Sequence, residues 1–295
     1  MSELISGIMN PNMPFLRYAL AAGILSSFAF GMIGSFVVAR RISYIAGAIA
    51  HSVLGGIGAG LYLQNKIGFI WFDPMIGGVI AALVAAIVIG LVSMYARQRE
   101  DTVIGSIWAV GMAVGILFIA KTPGYVDPMS YLFGNILMIS SSDLWIILGL
   151  DVLVLCLGLM FYNKFTALCF DEEFARLRGI KVTGYYLLML CLVAVTVVLL
   201  VMVVGIVMVI ALLTIPAAVS GLFSRHLWQM MLFSTILCII FITAGIGFSY
   251  IYDLPSGATI ILFAGLIYIL LLIFKALYRR FSHIGIAAEK KGAGD

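Results

Sequence analysis

Nine apolar runs, each close to twenty residues long, constrain this chain more than any other feature of its 295 residues. An α-helix needs roughly 20 apolar residues to cross a hydrocarbon core of about 30 Å. The runs lie near residues 15–38, 44–63, 74–95, 102–120, 143–163, 184–203, 205–223, 229–250 and 257–277. We therefore predict an all-α, polytopic membrane protein with about nine transmembrane helices, or eight if one run beside Gly205 is only a half-helix.

The composition excludes the main soluble classes. The chain is 64% hydrophobic and 10% charged, whereas a soluble domain carries roughly a quarter of its residues as charges. A soluble chain of this length could not bury so much apolar surface. These figures exclude a soluble enzyme, a nucleic-acid-binding protein and a disordered protein. The four cysteines form no CxxC pair and are interpreted as packing residues.

The distribution of basic residues predicts the orientation. With the N-terminus outside, fourteen of the seventeen Lys and Arg residues face the cytoplasm, which is a strong positive-inside bias. The expected exceptions are Arg17, Lys66 and Lys121. We predict an external N-terminus and a cytoplasmic C-terminus, with one transmembrane domain over residues 1–280 and a cytoplasmic tail over residues 281–295.

Two segments differ from the apolar runs. Residues 121–142 mix Pro and Gly with an apolar piece too short to span, which predicts a re-entrant segment. Residues 171–179, DEEFARLRG, predict a short cytoplasmic helix, because acidic residues at its start and basic residues at its end suit the helix dipole. Its residues are Asp171, Glu172, Glu173, Phe174, Ala175, Arg176, Leu177, Arg178 and Gly179.

The role of this helix has two interpretations. Asp171 is a suitable N-cap and Gly179 a suitable terminator, and Phe174, Leu177 and Arg178 would project from the surface. The helix is then either a solvated connector or a docking element that fits a groove on a cytoplasmic partner.

Few ionisable residues lie within the apolar runs. His51 and Asp151 are such residues, and an ionisable group inside a bilayer is a candidate functional residue. His51 is either a packing histidine or a ligand on an ion path, and Asp151 is either a protonated link between helices or part of that path. Asp127, Asn135 and Asp253 lie near the outer ends of the runs, where they are either cation ligands or cap and turn residues.

The glycine-rich piece LGGIGAG, residues 54–60, is not a nucleotide-binding loop. It lies inside an apolar run, and the chain contains no GxxxxGK[ST] motif. Gly56 and Gly60 instead predict close helix packing through small residues.

Six motifs occur in one order along the chain: GSFVVARRISY (34–44), AIAHSVLGG (48–56), YLFGN (131–135), DEEFARLRG (171–179), VGIVMVIALLTIPAA (204–218) and YDLPSGA (252–258). With them the chain resembles the transmembrane subunits of ABC importers for zinc, manganese or iron(II). The resemblance implies that residues 171–179 form the coupling helix of the ATPase subunit, that His51 lines the ion path and that Asp253 occupies a recurrent family position.

The resemblance also implies the partners and the place of action. They are a separate cytoplasmic ATPase, an extracytoplasmic metal-binding protein, a second copy of the chain and the lipid of a bacterial cytoplasmic membrane. The chain itself would be a transport subunit without catalytic residues and without a permanently bound cofactor. Its cargo would be a divalent transition metal, with zinc favoured because imidazole suits zinc, and manganese or iron(II) next.

One position departs from the family pattern. The family commonly carries an Asp one helical turn before the histidine, and this chain has Gly47 there. Asp151 is an unexpected carboxylate, and we consider the hypothesis that it partly supplies the missing charge. The alternative function is an ion-coupled secondary transporter with His51 and Asp151 as a proton relay. That function predicts inverted repeats, and the sequence shows no convincing repeat.

Overall fold

A computed structural model of the chain shows a bundle of α-helices. The structure describes residues 14–69, 71–95, 100–123, 131, 132, 134 and 139–292. The helices in these residues are α1 Pro14–Ala39, α2 Ser43–Tyr62, α3 Pro74–Tyr95, α4 Glu100–Lys121, α5 Ser141–Met160, α6 Tyr162–Phe170, α7 Glu172–Leu177, α8 Val182–Val204, α9 Ile206–Gly221, α10 Leu227–Tyr252 and α11 Ser256–Gly292. A turn of π-helix, Leu63–Ile67, extends α2.

Seven helices within the described residues are long and apolar enough to cross a membrane, namely α1, α2 with its π-helical extension, α3, α4, α5, α10 and α11. The apolar pair α8 and α9 meets at Gly205, whose φ of +86° favours glycine. The predicted break at Gly205 and the predicted all-helical, polytopic fold are therefore confirmed. A total of nine spans stays a prediction.

The helices differ in how far they are buried. Among the candidate spans, α1 and α2 are the most buried, whereas less than a quarter of the apolar window of α4, of α5 and of α11 is buried. The central helix α2 packs against α3, α4 and α8, and α1 packs against α5, α9 and α10. The exposed faces are themselves apolar, as expected of helices that contact lipid.

Glycines bring α2 into backbone contact with its neighbours. A Cβ atom added at Gly60 would lie 2.6 Å from the Cα of Pro74 in α3, and one added at Gly58 would lie 2.5 Å from the carbonyl oxygen of Gly115 in α4. Gly56 faces the backbone of Gly77 in the same way. The predicted packing through Gly56 and Gly60 is confirmed, and α3 is the helix that they contact.

The segment between α4 and α5 is described only in part. Ser140 caps α5, because its side chain accepts the Asp143 N–H and the Asp143 carboxylate accepts the Ser140 N–H. Gly134, at φ +63°, packs directly against the backbone of Val204 and Gly205 at the α8–α9 break. At least this residue of the segment thus lies against the bundle, and the re-entrant path of the whole segment stays a prediction.

Candidate functional site

His51 lies in the middle of α2 and is only 8% exposed. Its ring stacks on the indole of Trp108 in α4, with ring centroids 4.4 Å apart and planes inclined by 19°. Its Nδ1 atom is buried and has no hydrogen-bond partner among the described residues. A neutral imidazole can offer one unprotonated nitrogen to a first-row metal ion. The buried ring is therefore chemically suited to bind a metal.

Trp108 also covers Gly47, one helical turn before His51. A Cβ atom at position 47 would lie 3.1 Å from Cζ3 and 3.4 Å from Cη2 of the indole. The far edge of the indole therefore occupies the space into which a side chain at position 47 would extend. The departure from the family pattern at Gly47 has a structural counterpart in this tryptophan, which the sequence reasoning did not single out.

Asp151 has a different set of neighbours. It is 5% exposed on α5, and its Oδ2 atom has no hydrogen-bond partner among the described residues. It lines a cavity of about 10 Å³ together with Ala29 of α1 and with Thr196 and Leu200 of α8, close to the smallest volume that holds one water molecule. Thr196 already donates to the carbonyl of Leu192. This setting favours a role between helices over compensation at His51.

The remaining predicted pathway residues lie near helix ends or outside the described part. Asp253 is exposed and adopts a left-handed conformation, φ +51°, at the end of α10. There the Leu254 N–H donates to the Ser249 carbonyl at 3.1 Å, as in a helix C-cap. Asp127 and Asn135 lie outside the described residues. Within the described ranges, no group of three or more His, Cys, Asp or Glu side chains could hold a metal ion.

The predicted helix at residues 171–179 is present as α7, and its caps are as expected. The Asp171 carboxylate accepts the Phe174 N–H at 2.9 Å. At the other end, Gly179 has φ +77°, and the Ile180 N–H donates to the Ala175 carbonyl at 3.1 Å. These bonds form an N-cap and a Schellman motif, which confirms both predicted boundaries.

The two faces of α7 differ in exposure. Ala175 is fully buried against the protein, whereas Phe174 is 47% exposed and Leu177 is 87% exposed. The Arg178 guanidinium lies 4.7 Å from the centre of the Phe174 ring. Exposed apolar side chains beside a cation form the kind of surface that enters a partner's groove.

Arg40 is a second residue whose contacts could not be predicted from the sequence, where it was counted only among the basic residues that predict the orientation. Its Nη2 atom lies 2.5 Å from a carboxylate oxygen of Glu172, and its Nη1 atom donates to the carbonyl of Leu168 at 2.8 Å. This contact places the end of α1 and helix α7 at the same end of the bundle. A distant Arg–Glu pair of this kind leaves no local signal in a single sequence.

The model of the ABC 3 transport family matches residues 12–275 of this chain, nearly the whole helical bundle. The chain belongs to this family. The resemblance to permease subunits of metal-ion ABC importers is thereby confirmed, and the permease is a multi-pass protein of a bacterial membrane.

Relatives of the permease cover almost its full length. It is 37% identical to a probable metal transport system membrane protein of Chlamydia pneumoniae, over 93% of this chain and 94% of the relative. It is 38% identical to the manganese transport system membrane protein MntC of Halalkalibacterium halodurans, over 88% of this chain and 87% of the relative. The solved structure of PsaBC from Streptococcus pneumoniae in complex with Fab aligns with a TM-score of 0.79, at 29% identity, over 91% of this chain and 94% of that chain.

Proposed function

We propose that this chain is the membrane-spanning subunit of an ABC importer that moves a divalent transition metal ion into the cytoplasm. The observation that carries the proposal is His51, a buried imidazole with an unpartnered nitrogen in the centre of the most buried span. The family supports transport by a permease that does not itself catalyse hydrolysis. It does not support the ion-coupled alternative.

The test of His51 is metal uptake by cells that depend on this permease. We expect His51→Ala to insert and fold normally but to lower uptake of radioactive zinc or manganese at least about tenfold, because it removes the metal ligand. His226→Ala is the matched control, since it removes an exposed imidazole at the start of α10. Normal uptake by His51→Ala would make His51 a packing residue.

Two metals are candidates for the cargo, and a different observation supports each of them. Zinc is favoured by an imidazole that has no carboxylate one turn earlier, because manganese prefers oxygen ligands. Manganese is favoured by the name of the MntC relative. We expect unlabelled zinc to suppress uptake of either radioactive metal at lower concentration than manganese does. The opposite order would assign the permease to manganese.

The docking surface of α7 is proposed to bind a cytoplasmic ATPase subunit. Its support is the apolar pair Phe174 and Leu177, which the chain leaves exposed. Replacing both residues by Glu is expected to leave the permease in the membrane and to abolish co-purification of the ATPase. Phe223→Glu, at a 67% exposed aromatic residue after α9, is the control. Normal ATPase binding by the doubly charged variant would refute the docking assignment.

Orientation and further partners complete the proposal. The contact between Arg40 and Glu172 gathers basic residues of the α1 end and of α7 at one end of the bundle, and the positive-inside rule makes that end cytoplasmic. The N-terminus is then external, where a metal-binding protein would deliver the ion, and a second copy would complete the path. Cysteine labelling tests this orientation: in a chain without the native cysteines, Asp253→Cys should react in intact cells and Ser224→Cys only after permeabilisation.

A further inference from the structure

The connection between α1 and α2 is a tight turn that begins with Arg40. The Ile42 N–H donates to the Val37 carbonyl at 2.9 Å, and the Arg41 N–H donates to the Val38 carbonyl at 3.1 Å. Arg41 has φ +62°, so the turn is a Schellman motif without its usual glycine. Helix α2 begins at Ser43, directly after this turn. A displacement of Arg40 would therefore also displace the start of α2, because no flexible residues separate them.

The Arg40 side chain joins this turn to three further helices. It donates to the Leu168 carbonyl in the last turn of α6 and to Glu172 at the start of α7. Its guanidinium carbon also lies 5.5 Å from the centre of the Tyr186 ring in α8. The planar, forked guanidinium can serve these partners at once, whereas the point charge of a lysine cannot.

Glu172 is held from both sides. Its second carboxylate oxygen accepts a hydrogen bond from Arg176 at 2.7 Å, one helical turn further along α7. Burial acts to raise the pKa of Glu172, but the hydrogen bonds and charges of Arg40 and Arg176 outweigh burial and hold the pKa below its usual range. Glu172 is therefore ionised at neutral pH. The Arg40 and Glu172 side chains are only 23% and 29% exposed, so solvent screens this pair less than a fully exposed one.

Helix α7 thus has one face that contacts Arg40 and another that is exposed. Glu172 contacts Arg40, whereas Phe174 and Leu177 are exposed. A force on the exposed face would reach Arg40 through a short helix that is capped at both ends. From Arg40 it reaches α2, where His51 lies eight residues into the chain after Ser43, about 12 Å along the helix.

We propose that Arg40 is a positioning residue that couples the docking of α7 to the movement of the helix that carries His51. This inference rests on the proposed function, because it takes the partner of α7 to be an ATPase and the cargo of α2 to be a metal. It assigns to Arg40 neither metal binding nor ATPase binding. Its loss should therefore separate hydrolysis from transport rather than abolish either assembly or folding.

The experiment uses the complete importer, with its ATPase and its binding protein, in proteoliposomes. Four quantities are measured: co-purified ATPase, the midpoint of thermal unfolding, the rate of ATP hydrolysis and metal uptake. The proteins compared are wild type, Arg40→Gln, Arg40→Lys, Arg41→Gln, Glu172→Gln and the combination of Arg40→Gln with Glu172→Gln. Arg41→Gln is the matched control, because it removes the same charge from the adjacent exposed residue.

For Arg40→Gln we expect normal ATPase binding and sustained hydrolysis, with the number of metal ions taken up per ATP lowered about tenfold. Arg40→Lys should fall between Arg40→Gln and wild type, since lysine keeps the charge and serves fewer acceptors. Glu172→Gln should lower the same uptake-per-ATP ratio. Combining it with Arg40→Gln should lower the ratio little further, because both changes break the same interaction between Arg40 and Glu172.

Three results would overturn the inference. The first is an uptake-per-ATP ratio for Arg40→Gln that equals the ratio for Arg41→Gln. The second is loss of ATPase binding in Arg40→Gln, which would make Arg40 a support for α7 and nothing more. The third applies if Arg40→Gln does not fold: Arg40→Lys then decides, and a ratio equal to wild type refutes the coupling. A wild-type complex that binds no ATPase or takes up no metal would instead refute the proposed function.

Discussion

The contact between Trp108 and Gly47 can be tested by adding a single methyl group. Gly47→Ala places a Cβ atom 3.1 Å from Cζ3 of the indole, closer than the optimal carbon–carbon separation of about 3.5–4.0 Å. Trp108→Phe removes the outer part of the indole, which includes Cζ3 and Cη2. The two substitutions and their combination form a double-mutant cycle.

The expected magnitudes follow from two opposing effects. Overpacking a well-packed interior typically costs about 1–3 kcal/mol, whereas replacing glycine by alanine inside a helix contributes about 1 kcal/mol to stability. Gly47→Ala in the wild-type background should therefore lower the free energy of unfolding by about 0–2 kcal/mol. In the Trp108→Phe background the clash is absent, and the same substitution should raise that free energy by about 1 kcal/mol.

The assay is equilibrium unfolding of the purified permease in mixed micelles, with tryptophan-independent circular dichroism as the signal. Gly149→Ala is the control, because a Cβ atom added there meets no atom within 4 Å, and its effect should be the same in both backgrounds. A coupling energy between positions 47 and 108 of less than about 0.5 kcal/mol would show that the indole does not fill the space beside Gly47.

Three further predictions follow from the described contacts. Asp151→Asn should keep metal uptake, since Asp151 lies in its own small cavity; a steep fall in uptake would return it to the metal pathway. Gly58→Leu should prevent folding of the bundle, measured by size-exclusion chromatography, because even a Cβ atom there would lie 2.5 Å from the Gly115 carbonyl; a stable variant would contradict the backbone contact. The lowered pKa of Glu172 should stabilise the folded state fully above a pH of about 4.3, and this stabilisation should disappear as the pH falls through the lowered pKa. The unfolding temperatures of wild type and Glu172→Gln should therefore converge in acid. A difference between these temperatures that does not change with pH would refute the pairing.

Much of the fold could be predicted from the sequence, because its determinants are local. The length of an apolar run decides whether a helix can span a membrane, and the limits of the observed helices lie close to those of the predicted runs, except that α11 continues to Gly292, well beyond the predicted end of its run near residue 277. The caps of α7 were predictable for the same reason, since Asp171 and Gly179 act on backbone groups only a few residues away. The break at Gly205 needs only the conformational freedom of glycine.

The contacts that define the candidate sites could not be predicted in this way. Trp108 reaches His51 from another helix, and Arg40 reaches Glu172 across 132 positions of sequence. Helical periodicity cannot reveal either pair, because both contacts depend on how whole helices are oriented in the bundle. For the same reason the sequence left open whether Asp151 shares a path with His51 or only links helices, whereas the structure gives each residue its own neighbours.

The glycine face of α2 has a consequence for how this bundle would respond to mutagenesis. Alanine scanning detects an interface by deleting side chains, and an interface in which backbone meets backbone has none to delete. At Gly56, Gly58 and Gly60 every substitution adds atoms, so an alanine scan would measure the loss of stability caused by the added Cβ atom and not by a deleted side chain. Substitutions at these three glycines should therefore be as damaging as changes to the large buried side chains of the same helix.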